Sequence, residues 1–183
     1  AKAIAAEKTH RWQEENKDHI STGVIGTQWL MRGLTRYGRP DLAWRIATNR
    51  DYPSWGYMVE PGATTIWELW NGNTANPSMN SQNHVMLLGD LIAWFFQDLA
   101  GIAPGAPGFK RIRMQPIFPV GLHSVHATYQ TPYGEVGSQW VKKNGVLAWD
   151  VSVPPNAMAE VHLPDGKVEN VGSGNYHFET KMK

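Results

Sequence analysis

Ala103-Pro104-Gly105-Ala106-Pro107-Gly108 divides the chain into two kinds of sequence. Proline and glycine at this density suit neither helix nor sheet, so the run reads as a linker. Before it, apolar residues recur at helical spacing. After it, they alternate with polar ones, the pattern of strands with one buried face.

Upstream, Thr22 to Tyr37 carries Val24, Ile25, Trp29, Leu30 and Leu34 near one helical face. Gly38 and Pro40 end that helix and begin another over about Asp41 to Thr48. Thr65-Ile66-Trp67-Glu68 has the form of a capping box, a hydroxyl at the N-cap and a Glu three residues on. Ser81 to Ala100 is the longest expected helix. Val85, Leu88, Leu91, Ile92, Phe95, Phe96 and Leu99 make it apolar on nearly all sides, so it should be buried among other elements. Gly101 suits its C-terminal cap.

Downstream, strands are expected at about 111–117, 123–131, 135–142, 146–153, 157–163, 166–171 and 175–180. Asn144-Gly145 and Asp165-Gly166 are two-residue hairpin signals. Trp149, Val151 and Val153 alternate with Asp150 and Ser152. Short strands at this spacing predict an antiparallel sandwich. The fold class is therefore α+β, with helices first and a β-sandwich after.

The chain has 183 residues, 9 of them Trp and none Cys. A chain of this length can bury roughly 70% of its unfolded surface. A net charge of +1 gives no reason to expect nucleic acid or an anionic membrane as partner. No apolar run reaches the ~18 residues needed to span a bilayer. Without Cys there is neither disulfide nor thiolate chemistry. The opening Ala1-Lys-Ala-Ile-Ala-Ala-Glu-Lys8 reads like the middle of a helix. Few helices precede the linker, and the expected 81–100 helix needs partners on all sides. A fragment of a longer protein is the expectation, with a bare apolar face that favours association.

Tyr52-Pro-Ser-Trp55-Gly-Tyr57-Met-Val-Glu60-Pro-Gly-Ala-Thr-Thr65-Ile-Trp67-Glu68-Leu-Trp70-Asn-Gly72 concentrates aromatic rings beside carboxylates. Flat rings cover the C–H faces of a pyranose, and a carboxylate accepts hydroxyl protons or does acid/base work. Glu68 leads the candidates. In the first turn of a helix it would stay ionised and suit a general base. The plain alternative is that it only closes the capping box. Glu60, directly before Pro61, ranks second. His84 would stand one turn into the 81–100 helix, able to bond a sugar hydroxyl or simply a nearby backbone group. Trp55, Tyr57, Trp67 and Trp70 could line a sugar subsite or only pack. The histidines have no metal-ligand spacing, and no nucleotide-binding or nucleophile motif is present, so no cofactor or metal is expected.

His19-Ile-Ser-Thr-Gly-Val-Ile-Gly-Thr27, Tyr52-Pro-Ser-Trp-Gly-Tyr-Met58, Gly62-Ala-Thr-Thr-Ile-Trp-Glu68 and Asn83-His84 occur in this order. The series resembles the C-terminal third of bacterial α-L-rhamnosidases, inverting glycoside hydrolases with an (α/α)6 barrel. The resemblance implies that residues 1–104 are the last helices of that barrel and 105–183 a C-terminal β-sandwich. It implies Glu68 as the general base that activates water, and His84 as a rhamnose contact; Trp67 and Trp55 join His84 as expected substrate-binding residues on the aromatic reading alone. It implies a rhamnose-containing glycoside as substrate. The chain departs from the family at Leu69, where an Arg is usual, and at Asn71, often an Asp. The family's general acid, a Glu in an Asp-Glu-Arg-x-Gly-Trp type motif, has no counterpart here. The missing N-terminal part of the same enzyme is thus an expected partner, and the chain alone is expected to be inactive. Two other readings stand beside this one: a non-catalytic carbohydrate-binding or structural piece, and an (α/α)6 hydrolase for another glycoside.

Overall fold

The computed structural model describes residues 19–20, 22–84 and 91–182. The chain divides into two compact units, residues 1–92 and 93–183.

The first unit opens with helix α1, Val24–Arg36, close to the expected limits. Among its described side chains Thr27 and Met31 are buried, with Leu30 and Leu34 half-buried. Trp29 is not on that stripe. It is 62% exposed, and the Arg32 guanidinium lies over its ring at 5.3 Å. Gly38 at φ +84° turns the chain, a conformation that glycine adopts without strain. Helix α2, Pro40–Thr48, starts at the proline itself, whose fixed φ suits a first helical residue. It buries Leu42, Ala43 and Ile46. Arg39 donates two hydrogen bonds to Asp41, and this holds the Asp41 carboxyl below its usual range. Helix α3, Trp55–Val59, is short and begins at Ser54, whose Oγ accepts the Tyr57 N–H at 2.9 Å.

The expected helix at Thr65 does not form. Residues 66–68 run alongside residues 81–84 instead: Glu68 N donates to Ser81 O at 2.8 Å and His84 N to Ile66 O at 2.7 Å. Residues 81–84 are therefore not the first turn of a long helix. Val85 and Leu88 of that expectation lie outside the described residues. Residues 91–94 are helical and Phe95–Leu99 form a π-helical turn. Leu91, Trp94 and Leu99 are buried, while Ile92 is 41% exposed, so burial on all sides is not met.

The second unit is a sandwich of two four-stranded sheets. Its strands are β1 Ile102–Pro104, β2 Arg111–Met114, β3 Ser124–Thr131, β4 Gly134–Lys143, β5 Val146–Val153, β6 Met158–His162, β7 Val168–Val171 and β8 Gly174–Lys181. One sheet has the order β1-β2-β6-β7 and the other β3-β4-β5-β8. All pairings are antiparallel except β2 with β6. The segment read as a linker begins with the last two residues of β1, Ala103 and Pro104, the proline on an edge strand, where the missing N–H costs no ladder bond. Asn144 and Gly145 both have positive φ, as a type I′ turn requires. Asp165-Gly166 sits in a longer connection over 163–167, not a two-residue hairpin.

Trp140, Trp149, Ile112, Met114, Leu147 and Val161 are fully buried between the sheets. A polar chain threads that apolar core. Trp149 Nε1 donates to Ser138 Oγ at 3.0 Å, and Ser138 Oγ donates to Ala100 O at 2.7 Å. Trp140 Nε1 donates to Leu99 O at 2.9 Å. The carbonyls at the end of the π-helical turn are thus satisfied by side chains of β4. Lys142 Nζ donates to Pro119 O at 2.8 Å.

Ser138→Ala removes one acceptor and one donor from buried partners. The expected cost is about 1–3 kcal/mol, read by denaturant unfolding of the second unit; an unchanged midpoint contradicts the network. His177 on β8 has its pKa raised, first by its hydrogen bond to Asp150 and further by the nearby charges of Asp150 and Glu179. The pair's stabilisation is complete below the ordinary His value of 6.5 and is lost as pH rises through the raised value. An NMR titration should find the His177 midpoint above the ordinary value and lower in Asp150→Asn; equal midpoints contradict the pairing.

Candidate active site

The site is built by the connection after α3 and by residues 81–84. Trp55 and Met58 come from α3, Ala63, Thr64, Thr65 and Ile66 from the strap that follows, and Asn83 and His84 from the returning segment. They enclose a pocket of about 300 Å³. Its wall is aromatic and apolar on one side, with hydroxyl, amide and imidazole groups among the rest. Trp55 and His84, far apart in sequence, meet here because the two segments pair.

Three side chains hold the strap to its partner besides the backbone bonds. Thr65 Oγ1 donates to Gln82 O. Glu68 Oε2 accepts the Ser81 N–H at 2.9 Å. Asn80 Oδ1 accepts the Leu69 N–H at 3.2 Å and its Nδ2 donates to Gly72 O at 3.3 Å. Thr65 and Glu68 thus make hydrogen bonds, as a capping box would, but across two segments and not within one helix. The first-turn location that made Glu68 a candidate base is absent. Its carboxylate is instead fixed by a backbone amide.

The expected residues fall in different places. Trp55 and His84 line the pocket; Glu68 and Trp67 do not. Trp67 is 6% exposed and lies under Gly72, where any Cβ would come within 2.8 Å of the indole. Trp70 packs edge-on to Trp55 at 5.5 Å and donates through Nε1 to Thr22 O. Glu60 is exposed and paired with Arg50 at 3.6 Å, away from the pocket. Trp55 Nε1 and His84 Nδ1 are shielded from solvent and have no partner among the described residues. Such groups are uncommon and call for an explanation.

Asn80 and Met58 were not singled out by sequence. The polar run Asn80-Ser-Gln-Asn-His84 was the available signal, but it read as a helix start. Among the described residues no group of acidic or histidine side chains is placed to hold a metal.

Family models now decide the kinship. The bacterial alpha-L-rhamnosidase 6 hairpin glycosidase domain matches residues 1–99, and the bacterial alpha-L-rhamnosidase C-terminal domain matches residues 101–178. The chain belongs to the bacterial α-L-rhamnosidase family. An α-L-rhamnosidase of Formosa agariphila is 41% identical over 169 residues, covering 90% of this chain and 18% of that protein. One of Streptomyces avermitilis is 39% identical, with the same coverage. The crystal structure of a Streptomyces avermitilis α-L-rhamnosidase complexed with L-rhamnose matches 97% of this chain and 19% of its own, at a TM-score of 0.90 and 34% identity. The native α-L-rhamnosidase of Aspergillus terreus matches at a TM-score of 0.90 and 31% identity. The chain spans about a fifth of the length of these rhamnosidases. The helical and β-sandwich parts expected from the sequence agree with the two matched domains of the family.

The strap should loosen when its carboxylate is removed. Exchange of the Ser81 amide should speed up by about tenfold in Glu68→Ala, the equivalent of a hydrogen bond worth about 1.4 kcal/mol, and by less in Glu68→Gln, which keeps an acceptor. Equal exchange in all three proteins would remove Glu68 as the fastener.

Proposed function

We propose that this chain is the part of an inverting α-L-rhamnosidase that supplies the general base, Glu68, and sugar contacts from His84, Trp55 and Trp67. The observation that carries the proposal is the meeting of Trp55 and His84 in one pocket, each with a buried polar atom that lacks a partner. A pyranose matches such a lining, with C–H faces for the indole and hydroxyls for imidazole, amide and hydroxyl groups.

In the proposed reaction Glu68 takes a proton from water as the oxygen attacks the anomeric carbon of a terminal α-L-rhamnosyl residue. A second carboxyl group protonates the departing oxygen. Inverting enzymes hold the two carboxyls about 6.5–9.5 Å apart, leaving room for the water. Glu60 is not suited to the acid's role, being exposed and paired with Arg50. The resemblance places the family's general acid in an Asp-Glu-Arg-x-Gly-Trp type motif that this sequence does not contain, so the acid is assigned to a part of the longer protein outside this chain, and the 183-residue chain alone should not turn over an aryl α-L-rhamnoside. The domain division proposed with it follows the sequence reading, a barrel part over 1–104 and a sandwich over 105–183, except that strand β1, Ile102–Pro104, goes with the sandwich.

One observation favours a second reading. Glu68 is already engaged by Ser81 and stands off the pocket, as a purely structural fastener would. In that case the pocket binds sugar and the base is another residue.

Glu68→Gln in the longer enzyme separates the two, since the amide keeps an acceptor for Ser81 but cannot take a proton. The proposal expects kcat for an aryl α-L-rhamnoside to fall by about 10²-fold or more with the unfolding midpoint kept. Near-equal rates would leave only the structural role.

A further inference from the structure

The outer face of the β3-β4-β5-β8 sheet carries the Asp150–His177 pair and takes no part in the proposed catalytic site. Register sets its pattern. His126 pairs with Gln139, Gln139 with Asp150, and Asp150 with His177, so these four form one row across the sheet. The next row is Thr128, Gly137, Ser152 and Asn175. Glu135 stands at the side of it. The inner faces of the same strands carry Trp140, Trp149 and Val151, so alternation puts every residue of the two rows outside.

These rows line a depression of about 420 Å³, within the ~300–1,000 Å³ range of small-ligand sites. Gly137 forms part of its lining. Glycine inside a strand weakens it and commonly marks a bulge or a close approach by a ligand or another backbone. The pairing runs through Gly137 without interruption, so there is no bulge. The close neighbour is Ser152, whose Oγ would stand 2.4 Å from a Cβ at Gly137. The missing side chain therefore lowers the sheet surface at its centre and lets a hydroxyl lean over it.

The lining chemistry narrows the ligand. It has no Lys or Arg, while Glu135 and Asp150 are acidic, which disfavours an anion. Most of its side chains carry hydroxyls, amides, imidazoles or carboxylates, with Val151 and the Tyr176 ring adding apolar surface, a mixture that suits a ligand with both hydroxyls and C–H faces better than a purely apolar one. No group of three His, Asp or Glu among the described residues is placed for a metal. Among the described residues, the side chains of His126, Gln139 and Asn175 make no hydrogen bond to protein and are available to a ligand. Asp150 and His177 hold each other at 2.6 Å, which fixes two of the groups in place. Vicinal hydroxyls, each both donor and acceptor, match mixed donors and acceptors at sheet spacing.

We propose that this face is a second, shallow site for a neutral glycan, bound by Gln139, Asp150, Ser152 and His177 over the floor made by Gly137. The site belongs to the second unit alone and does not depend on the proposed catalytic role of Glu68.

Saturation-transfer NMR on the 183-residue chain tests it, with methyl α-L-rhamnoside, a neutral oligosaccharide and an oligomer of uronic acids as probes. The expected result is transfer to the neutral sugars, with Kd near ~1 mM, and little to the uronate. Gln139→Ala and Asp150→Asn, both exposed and each checked for an unchanged circular dichroism spectrum, should weaken transfer at least fivefold. Gly137→Val, checked the same way, should do the same. Three outcomes overturn the proposal: no transfer to any neutral sugar, transfer unchanged in Gln139→Ala and Asp150→Asn, or transfer lost in His84→Ala while both sheet variants keep it.

Discussion

The first unit depends on one pairing, that of residues 66–68 with 81–84. Two backbone hydrogen bonds define it, and Thr65, Glu68 and Asn80 fasten it. Without it there is no reason for His84 to meet Trp55, because the turn-rich connection over 69–80 has no long helix to set its path. A polar side chain that closes a backbone gap is worth more in such a connection than on a helix surface, since it also decides where the ends go. Glu68 is the clearest case: its carboxylate holds Ser81 in place.

The sandwich is organised differently. Its strands are specified by alternation and its hairpin by Asn144-Gly145, both local signals. What ties its β4 to the π-helical turn is a short polar chain through Ser138 inside an otherwise apolar core. Buried polar groups are costly when unpaired, and here each finds its partner, so the chain selects one packing of sheet against turn.

This contrast explains what could be read from the sequence. All seven expected strands are present, because period-two alternation and turn residues act over a few positions. Helices α1 and α2 are present because helical spacing and the Gly38 and Pro40 signals between them are equally local. The failures come where a local rule had a distant competitor. Thr65-Ile66-Trp67-Glu68 fits a capping box, yet its side chains bond residues 81 and 82, which no local pattern reveals. Ser81 to His84 looks like a helix start, yet its backbone is taken by the strap. Trp29 sits at helical spacing from buried residues but finds Arg32 and solvent. Ala103 and Pro104 read as linker because proline masks an edge strand. At the candidate site, motif and residue type put Trp55, Trp67, Glu68 and His84 forward together, while the pocket whose lining Trp55 and His84 share, and the offset of Glu68 and Trp67 from it, needed the fold.

The most direct test of the account is a crystal structure of the longer enzyme with L-rhamnose bound. The account predicts the sugar ring against Trp55, with a hydroxyl within about 3.2 Å of a His84 ring nitrogen and a water between Glu68 and the anomeric carbon. A sugar bound elsewhere, with Trp55 and His84 satisfied by protein groups, would contradict it.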